Sequence, residues 1–299
     1  KTAYEISACL VGSEMCIRDR LCSERELGIS DLHEGLMELP LEAPVGEDIR
    51  HFLKLDDKII DLDLTPNRSD CLGIVGLARE TGLINKIDVS YPDDRFVRPS
   101  VEDIFPVELG DPEKCPRFVS RVIRNIDINA LTPLGMKEKL RRSGIRSIDP
   151  VVDVTNYVML ELNQPMHAYD LNQLKEKIVV RQSKEGECIT LLNGEEVILN
   201  GETLLITDGN GPIGIGGVMG GLTTSVTSKT KDILLESAWF SPSAIAGRAR
   251  SYGLSSDAAH RFERGVDWQG QISAIERATE LLIAIVGGEA GPLSHSFKS

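Results

Sequence analysis

Short apolar segments alternate with turn sequences in the middle of this 299-residue chain. Asn193-Gly194, Asn200-Gly201 and the run 208–211 all combine Asn or Asp with Gly. These residues accept the positive backbone φ angles that tight β-hairpins require. Because the segments between them are rich in Val, Ile, Leu and Thr, the pattern predicts strands joined by hairpin turns, and hence a mainly antiparallel sheet. The predicted strands cover residues 178–180, 188–192, 197–199 and 204–207.

Helix-start signals lie on both sides of this β region. Three places put a capping side chain directly before a proline, which is typical of a helix N terminus. Together with the strands, the helices predict an α+β fold, in which a mainly antiparallel sheet packs against helices, plus a small α+β domain. The expected helices cover residues 67 or 69 to 82, 132–144, 149 to at most 164, 241–253, a stretch of about two turns within 255–265, and 269–286.

Composition excludes several classes of protein. The chain has 33 basic and 46 acidic residues, a net charge of −13 and 41% hydrophobic residues, which argues against a disordered tail or a general nucleic-acid coat protein. No apolar stretch approaches the roughly 18–20 residues of a membrane helix, so we expect a cytoplasmic protein without membrane contact. Residues 117–146 are locally basic, with eight Lys or Arg against Asp127 and Glu138. This segment is either a solvated basic face or a surface that attracts a phosphate backbone.

Cysteine and glycine motifs point away from two kinds of site. The six cysteines form no Cys-x-x-Cys pair, so neither a structural metal site nor a disulfide framework is expected. Residues 209–214 match Gly-x-Gly-x-x-Gly, but Pro212 and further glycines follow where a dinucleotide loop needs a helix. We therefore expect a glycine-rich strand over 212–221, whose bare backbone either packs tightly or lies against a bulky group.

Two polar residues stand out from their surroundings. Glu236 interrupts the apolar run 234–240, where an unpaired buried carboxylate would cost several kcal/mol. Glu236 therefore either faces water or has a polar partner such as a ligand hydroxyl. His167 follows Pro165 closely, just after a predicted helix, and is either a structural histidine or a functional one.

Six strings of the sequence together resemble the beta subunits of bacterial-type phenylalanine–tRNA ligases. They are LDLTPNRSDCLGIVGLARE (62–80), PRFVSRVI (116–123), KEKLRRSGIRSIDPVVDVTNYVMLELNQPMHAYD (137–170), GIGGVMGG (214–221), LLESAWFSPSAIAGRAR (234–250) and DAAHRFERGVD (257–267). The similarity implies that the chain is a fragment of a longer subunit. Residues 1–20 depart from the family and are expected to be a non-native, unstructured leader. By the resemblance, 21–46 are the remnant of a tRNA-binding oligonucleotide-binding-fold (OB-fold) domain, 47–98 a small α+β domain and 99–299 the editing domain.

The resemblance implies an editing site that hydrolyses tRNA carrying tyrosine by mistake. Glu236 falls where the family reads the tyrosine phenol, and His167 falls near the ester, where it would orient a water. Gly220 and Gly221 match glycines that lie against the aminoacyl group, and their N–H groups would stabilise an oxyanion. No metal is implied for this step. Pro165, Ser256 and Ala258 are the expected substrate-binding residues, and Arg141, Arg142 and Arg146 of the basic segment are expected to contact tRNA.

For the parent enzyme, the resemblance implies ligation of phenylalanine to tRNA(Phe) with ATP and magnesium. Ligation takes place in the alpha subunit of a heterotetramer of two alpha and two beta subunits, and the editing portion would need no cofactor. A phenylalanine pocket rejects an added hydroxyl only modestly, whereas a second site that hydrogen-bonds the hydroxyl discriminates by ~10⁴–10⁵. The alternative function is a non-catalytic scaffold that docks the alpha subunit and presents its basic face to tRNA.

Overall fold

The chain divides into two compact units, Lys1–Ile59 and Ile60–Ser299. A computed structural model describes residues 22–29, 35–41, 43–92 and 96–298. The expected leader 1–20, with Cys9 and Cys16, lies outside the described residues. The division at residue 59 falls inside the segment 47–98, so the domain boundaries read from the sequence stay predictions.

The described part of the first unit contains one short helix, α1, at Ile49–Phe52. The Asp48 carboxylate caps α1 by accepting a hydrogen bond from the Arg50 backbone N–H at 2.9 Å. The described residues before α1 form turns, bends and segments without regular secondary structure.

The second unit begins with helical elements. A 3₁₀ turn at Ser69–Leu72 leads into helix α2, Ile74–Asn85. The chain folds back on itself so closely here that a Cβ at Gly76 would lie 1.8 Å from the Asp70 carbonyl oxygen. The part of 47–98 that the structure describes contains helical elements and no strand, so the β component expected for a small domain is not seen in those residues.

Twelve strands, β1 to β12, form two five-stranded sheets and one hairpin within the described residues. The first sheet has the order β1-β4-β7-β8-β9, with β1 parallel to β4 and the other neighbours antiparallel. The second sheet has the antiparallel order β11-β2-β10-β3, with β12 also pairing with β2, and β5 and β6 form the hairpin. The predicted mainly antiparallel α+β fold is confirmed. The strands are β1 Val107–Leu109, β2 Arg117–Arg124, β3 His167–Asp170, β4 Ile178–Gln182, β5 Cys188–Thr190, β6 Glu196–Ile198, β7 Leu204–Asp208, β8 Gly211–Ile215, β9 Met219–Gly220, β10 Ile233–Trp239, β11 Glu289–Ala290 and β12 Ser294–Phe297.

The remaining helices follow the capping signals in part. Asp149 caps α4 as predicted, accepting from the backbone N–H groups of Val151 and Val152. The helix expected over 241–253 is instead two short helices, because Gly247 takes a φ of +74° between them. The helices are α3 Leu134–Arg142, α4 Pro150–Leu162, α5 Pro242–Ile245, α6 Arg248–Ser251, α7 Asp257–Arg264 and α8 Gln271–Val286.

The second sheet separates two hydrophobic cores. On β10, Leu234 and Ala238 contribute to the core shared with the first sheet, while Ile233 and Leu235 pack in the core of helices α3, α4 and α8. Side chains alternate across a strand, so Glu236 shares the face of Leu234 and Ala238. Both faces of this strand are covered, and its residues are apolar apart from Glu236 and Ser237.

The glycine-rich segment expected to be one strand forms two. β8 and β9 pair antiparallel, and Gly217 turns the chain between them with a φ of +69°. Gly209 lies in the hairpin between β7 and β8, and the other two glycines of the Gly-x-Gly-x-x-Gly motif lie in β8. The motif therefore leads into a strand and not into a helix, as the sequence indicates.

The basic segment 117–146 does not form one basic face, and that expectation is wrong. Arg121 on β2 is 1% exposed and donates to Glu276 at 2.9 Å and to the carbonyl oxygens of Gly291 and Val97 at 3.0 Å each. On the same strand, Arg124 bonds Asp103 and Asp232, and Arg117 donates to the Trp268 carbonyl oxygen. The three arginine side chains of β2 thus form hydrogen bonds or ion pairs with other parts of the protein.

Replacing Arg121 with alanine should destabilise the second unit strongly. Arg121→Ala leaves Glu276 buried without its cation, and breaking a buried pair from one side costs about 3–5 kcal/mol. Guanidinium unfolding measures the change. The matched control is Arg181→Ala, which breaks a more exposed pair with Glu187 and should cost no more than about 1 kcal/mol. Equal small losses in both variants would contradict the structural role of Arg121.

Candidate editing site

A cavity of about 200 Å³ opens beside the second sheet, bounded by β3, β10, the glycine segment and α7. It brings together most of the residues that the sequence predicted for the site. Gly221 and the three arginines do not line it. The predicted residues that do line it are Pro165, His167, Gly220, Glu236, Ser256 and Ala258.

Glu236 lies in the middle of β10, between β2 and β3. Its register partners are Ser120 on β2 and His167 on β3. Only 7% of Glu236 is exposed, which rules out the water-facing alternative. Burial raises the pKa of this carboxyl from its usual 4.5 to about 7, because a low-dielectric surrounding disfavours the charged form.

The polar partner of Glu236 within the fold is Tyr169, which the sequence motifs did not single out. The Tyr169 hydroxyl donates a hydrogen bond to Glu236 Oε2. Burial raises the pKa of Tyr169 well above its usual value, and the neighbouring Glu236 charge adds to the shift. Tyr169 stands two residues after His167 on β3, so strand alternation puts both rings on the face of Glu236. That spacing is the signal that could have identified it.

His167 presents a neutral imidazole to the cavity. Its ring meets the Tyr169 ring edge-on, with centroids 4.4 Å apart. Burial lowers the pKa of His167 to about 4, so the ring is uncharged at neutral pH. Its Nε2 is buried and has no hydrogen-bond partner among the described residues.

Gly220 is required by the position of His167. A Cβ at residue 220 would lie 2.4 Å from His167 Cε1 and 2.6 Å from Nε2. Any side chain there would have to displace the imidazole. The backbone of the glycine segment (residues 212–221) therefore lies directly against the imidazole. This agrees with the expectation from the sequence that a bulky group lies against these glycines.

The structure does not support the oxyanion role predicted for Gly221. Its backbone N–H already donates to the Ile213 carbonyl oxygen at 2.7 Å. A Cβ at Gly221 would also lie 2.7 Å from that oxygen, so this glycine serves strand packing.

Ser256 and Ala258 belong to the start of α7. The Ser256 hydroxyl accepts from the Ala259 N–H at 3.1 Å and donates to the Val218 carbonyl oxygen at 2.7 Å. It thus caps the helix and ties it to the glycine segment. Ala258 is half-buried, and its small side chain leaves the cavity open.

The predicted tRNA-binding arginines lie on and after α3. Arg141 forms a two-pronged ion pair with Glu138, at 2.9 and 3.1 Å, and Arg142 approaches the same carboxylate at 3.4 Å. Arg146 is exposed and makes no ion pair within the described residues. Of the three, Arg146 is the cation most accessible to an external phosphate.

The described residues contain neither a metal-binding cluster nor a membrane helix. Across 22–29, 35–41, 43–92 and 96–298, no group of three or more His, Cys, Asp or Glu side chains is arranged to hold a metal ion. Cys71, Cys115 and Cys188 form no disulfide within the described residues. In the same part of the chain, no helix combines the length and apolar character needed to span a bilayer.

Stability should depend on pH through Glu236. Its raised pKa means that the folded state binds the proton more tightly than the unfolded state. The stability that this proton contributes is fully present below pH 4.5 and is lost as the pH rises through about 7. For a pKa shift of this size, the loss in unfolding free energy is about 3 kcal/mol. His167, whose pKa is lowered from 6.5 to about 4, changes stability in the opposite direction over that pH range. The measurement therefore compares the unfolding free energy of the parent chain with that of Glu236→Gln, since both contain His167. The variant should gain relative stability as pH rises, and a constant difference in unfolding free energy would contradict this.

Comparisons with known proteins agree with the resemblance seen in the sequence. A B3/4 domain model matches residues 114–287. The phenylalanine–tRNA ligase beta subunit of Hahella chejuensis is 58% identical over 275 residues, covering 92% of this chain and 35% of that protein. That of Pseudoalteromonas translucida is 59% identical over 273 residues, covering 91% and 34%. A solved N-terminal fragment of the phenylalanyl-tRNA synthetase beta subunit from Pyrococcus horikoshii overlays 78% of this chain and 65% of its own, with 13% identity and a TM-score of 0.42.

The chain spans about a third of the length of these relatives, 34–35%. The similarity nevertheless covers more than nine-tenths of this chain and includes the whole cavity region. The family assignment made from the sequence motifs is confirmed. The chain carries a B3/4 domain and belongs to the phenylalanine–tRNA ligase beta-subunit family.

Proposed function

We propose that this chain hydrolyses the ester that links tyrosine to tRNA(Phe), as the editing part of a phenylalanine–tRNA ligase. The observation that carries the proposal is Glu236, a buried carboxylate in the wall of a small cavity. A tyrosine phenol would give this carboxylate a hydrogen bond. Phenylalanine would bury it without one, and an unsatisfied buried polar group is penalised.

The size of the cavity suits one aromatic side chain. An apolar cavity of about 150 Å³ accommodates benzene, and this one measures about 200 Å³. Its walls are largely apolar, with Phe240, Phe262 and the bare glycine segment facing the space. A phenol ring fits here with its hydroxyl end at Glu236.

Hydrolysis needs a water directed at the ester. In the proposed reaction a water oxygen attacks the ester carbonyl carbon, the bond to the ribose oxygen breaks, and tyrosine and the tRNA hydroxyl are released. His167 lines the cavity, and its Nε2 is enclosed without a hydrogen-bond partner among the described residues. With a pKa of about 4 it is a weak base at neutral pH, so we assign it to orienting the water. Gly220, bare beside His167, lies where we place the tetrahedral intermediate, with Pro165 and Ser256 completing the substrate contacts.

The tRNA is proposed to lie along α3 and the loop after it. Arg146 is accessible, and Arg141 and Arg142 share the carboxylate of Glu138. A phosphate backbone approaching this surface would be attracted locally although the chain carries a net charge of −13.

The wider assembly is also part of the proposal. The ligase would join phenylalanine to tRNA(Phe) with ATP and magnesium in an alpha subunit, as a cytoplasmic heterotetramer of two alpha and two beta subunits. The editing step proposed for this chain uses neither ATP nor a metal.

A non-catalytic scaffold is the second candidate. Apolar side chains on and after α2 are exposed, among them Ile74, Leu83, Ile84 and Ile87 at 59–75%. Such a surface is typical of an interaction site, and in this reading it would dock the alpha subunit. Activity of the chain on Tyr-tRNA(Phe) separates the two candidates.

Removing the carboxylate should abolish recognition of the phenol. Glu236→Ala is expected to slow hydrolysis of Tyr-tRNA(Phe) by the 299-residue chain about 10- to 100-fold, the value of a hydrogen bond to a charged group. Binding of tRNA(Phe) should not change. The control is Glu202→Ala, which removes an exposed carboxylate paired with Arg248. Unaltered hydrolysis in Glu236→Ala would remove this residue from the mechanism.

Filling the cavity should have the same effect by another route. Ala258→Trp places an indole in the space proposed for the tyrosine ring, so hydrolysis should be lost while the fold persists. Ala246→Trp is the matched control, because Ala246 is exposed and does not line the cavity. Deacylation assays on both variants, with circular dichroism as a folding check, make the comparison. Normal hydrolysis by Ala258→Trp would place the substrate elsewhere.

A further inference from the structure

We propose that Tyr169 is a positioning residue that holds one oxygen of Glu236 and leaves the other for the substrate phenol. Its hydroxyl occupies Oε2, and Oε1 is directed to the cavity. This inference rests on the proposed function. It adds the residue that leaves only one oxygen of the Glu236 carboxylate open to the substrate.

Sheet geometry brings the two residues together. In the register of β3 and β10, His167 is opposite Glu236 and Tyr169 is opposite Leu234. Opposite and diagonal neighbours on one face of an antiparallel pair lie within reach of an aromatic side chain. The Tyr169 phenol thus reaches diagonally across to Glu236 Oε2.

Tyr169 cannot easily turn away from this contact. It is 1% exposed and belongs to the core between the two sheets. The His167 ring abuts it edge-on, at an interplanar angle of 83°. A tyrosine has only two side-chain torsions, so packing on both sides fixes the hydroxyl where the carboxylate meets it.

The two oxygens of Glu236 are therefore not equivalent. Oε2 accepts from Tyr169, whereas the described residues offer Oε1 no hydrogen bond. Oε1 is also absent from the enclosed, unsatisfied polar atoms of the described chain, and Glu236 lines the cavity. The exposed part of the carboxylate is thus the oxygen without an internal partner. A substrate hydroxyl would satisfy it, and a ring without a hydroxyl would not.

Tyr169 also favours the ionised form of Glu236. The titratable groups that face this carboxyl are Tyr169 and His167 from β3 and the buried thiol of Cys115, which precedes β2. None of them carries a positive charge at neutral pH, since burial keeps His167 neutral. Burial raises the pKa of Glu236, and the Tyr169 hydrogen bond opposes that shift. Without the phenol, the carboxyl would hold its proton to higher pH and accept a substrate hydroxyl less well.

Tyr169→Phe tests the proposal, because it removes the hydroxyl and keeps the ring. In the 299-residue chain, the acidic limb of the pH profile for Tyr-tRNA(Phe) hydrolysis should move upward by about one pH unit or more. Below the limb, the rate should fall about tenfold for each pH unit by which the limb moves. The infrared carboxyl band of Glu236, assigned as the band lost in Glu236→Gln, should titrate at a correspondingly higher pH. The control, Tyr252→Phe, removes a phenol that bonds Asn200 and Thr203 away from the cavity, and both readouts should match the parent.

A second substitution protects the test against a folding defect in Tyr169→Phe. Replacing Tyr169 with 3-fluorotyrosine gives a more acidic phenol and a stronger donor, so the limb and the infrared midpoint should move to lower pH. Unchanged profiles and midpoints in both Tyr169 variants would overturn the positioning role.

The outcomes also separate this inference from the proposed function. If Glu236→Ala slows hydrolysis as expected while Tyr169→Phe leaves both readouts at parental values, the positioning role fails and the editing proposal stands. If the parent chain does not hydrolyse Tyr-tRNA(Phe), the editing proposal fails. An infrared midpoint that still shifts in Tyr169→Phe would then show that Tyr169 controls Glu236 ionisation without serving editing.

Discussion

A carboxylate buried on a strand that is covered on both faces is the constraint on which this site depends. Glu236 lies between β2 and β3, and Leu234 and Ala238 flank it on its own face of β10. An ionised carboxyl in such a place requires a compensating donor. Among the described residues the fold supplies one donor, the Tyr169 hydroxyl, for one oxygen of Glu236. The selectivity that we propose follows from the second oxygen, which has no donor. A ligand hydroxyl would supply the missing hydrogen bond, and a ring without a hydroxyl would not.

The rest of the cavity follows from backbone packing. The glycine segment lies so close to His167 that residue 220 cannot carry a side chain without displacing the ring. The same segment is held from the other side by the Ser256 hydroxyl, which bonds the Val218 carbonyl oxygen. The imidazole, the bare strand and α7 therefore form one packed arrangement. Burial lowers the pKa of His167 and raises that of Glu236 for the same physical reason, since a low-dielectric surrounding disfavours the charged form of either group.

The sequence predicted much of this fold where local chemistry decides the structure. Asp149 before a proline starts a helix, and Ser256 caps another that ends at Gly265, as the structure has them. Strand β2 was missed as a strand because it is buried on both faces and shows no simple alternation. Its arginines therefore resembled a surface patch, although Arg121 pairs with Glu276 from a distant helix. Motif resemblance pointed to Glu236 and His167. The two-residue spacing from His167 places Tyr169 on the same face of β3, but its contact with Glu236 also depends on the register of β3 against β10.

In the proposed function, selection by a hydroxyl would let one domain carry out editing with few polar groups. The cavity is lined by one buried acid, one neutral imidazole and a bare glycine backbone. These are the groups that the proposed recognition and hydrolysis require. The most direct measurement is a crystal structure of the chain with adenosine bearing tyrosine through a 3′-amide, which mimics the ester and resists hydrolysis. The account predicts the tyrosine oxygen within about 3 Å of Glu236 Oε1 and the amide carbonyl beside Gly220 and His167. An aromatic ring bound outside the cavity, or a phenol directed away from Glu236, would contradict it.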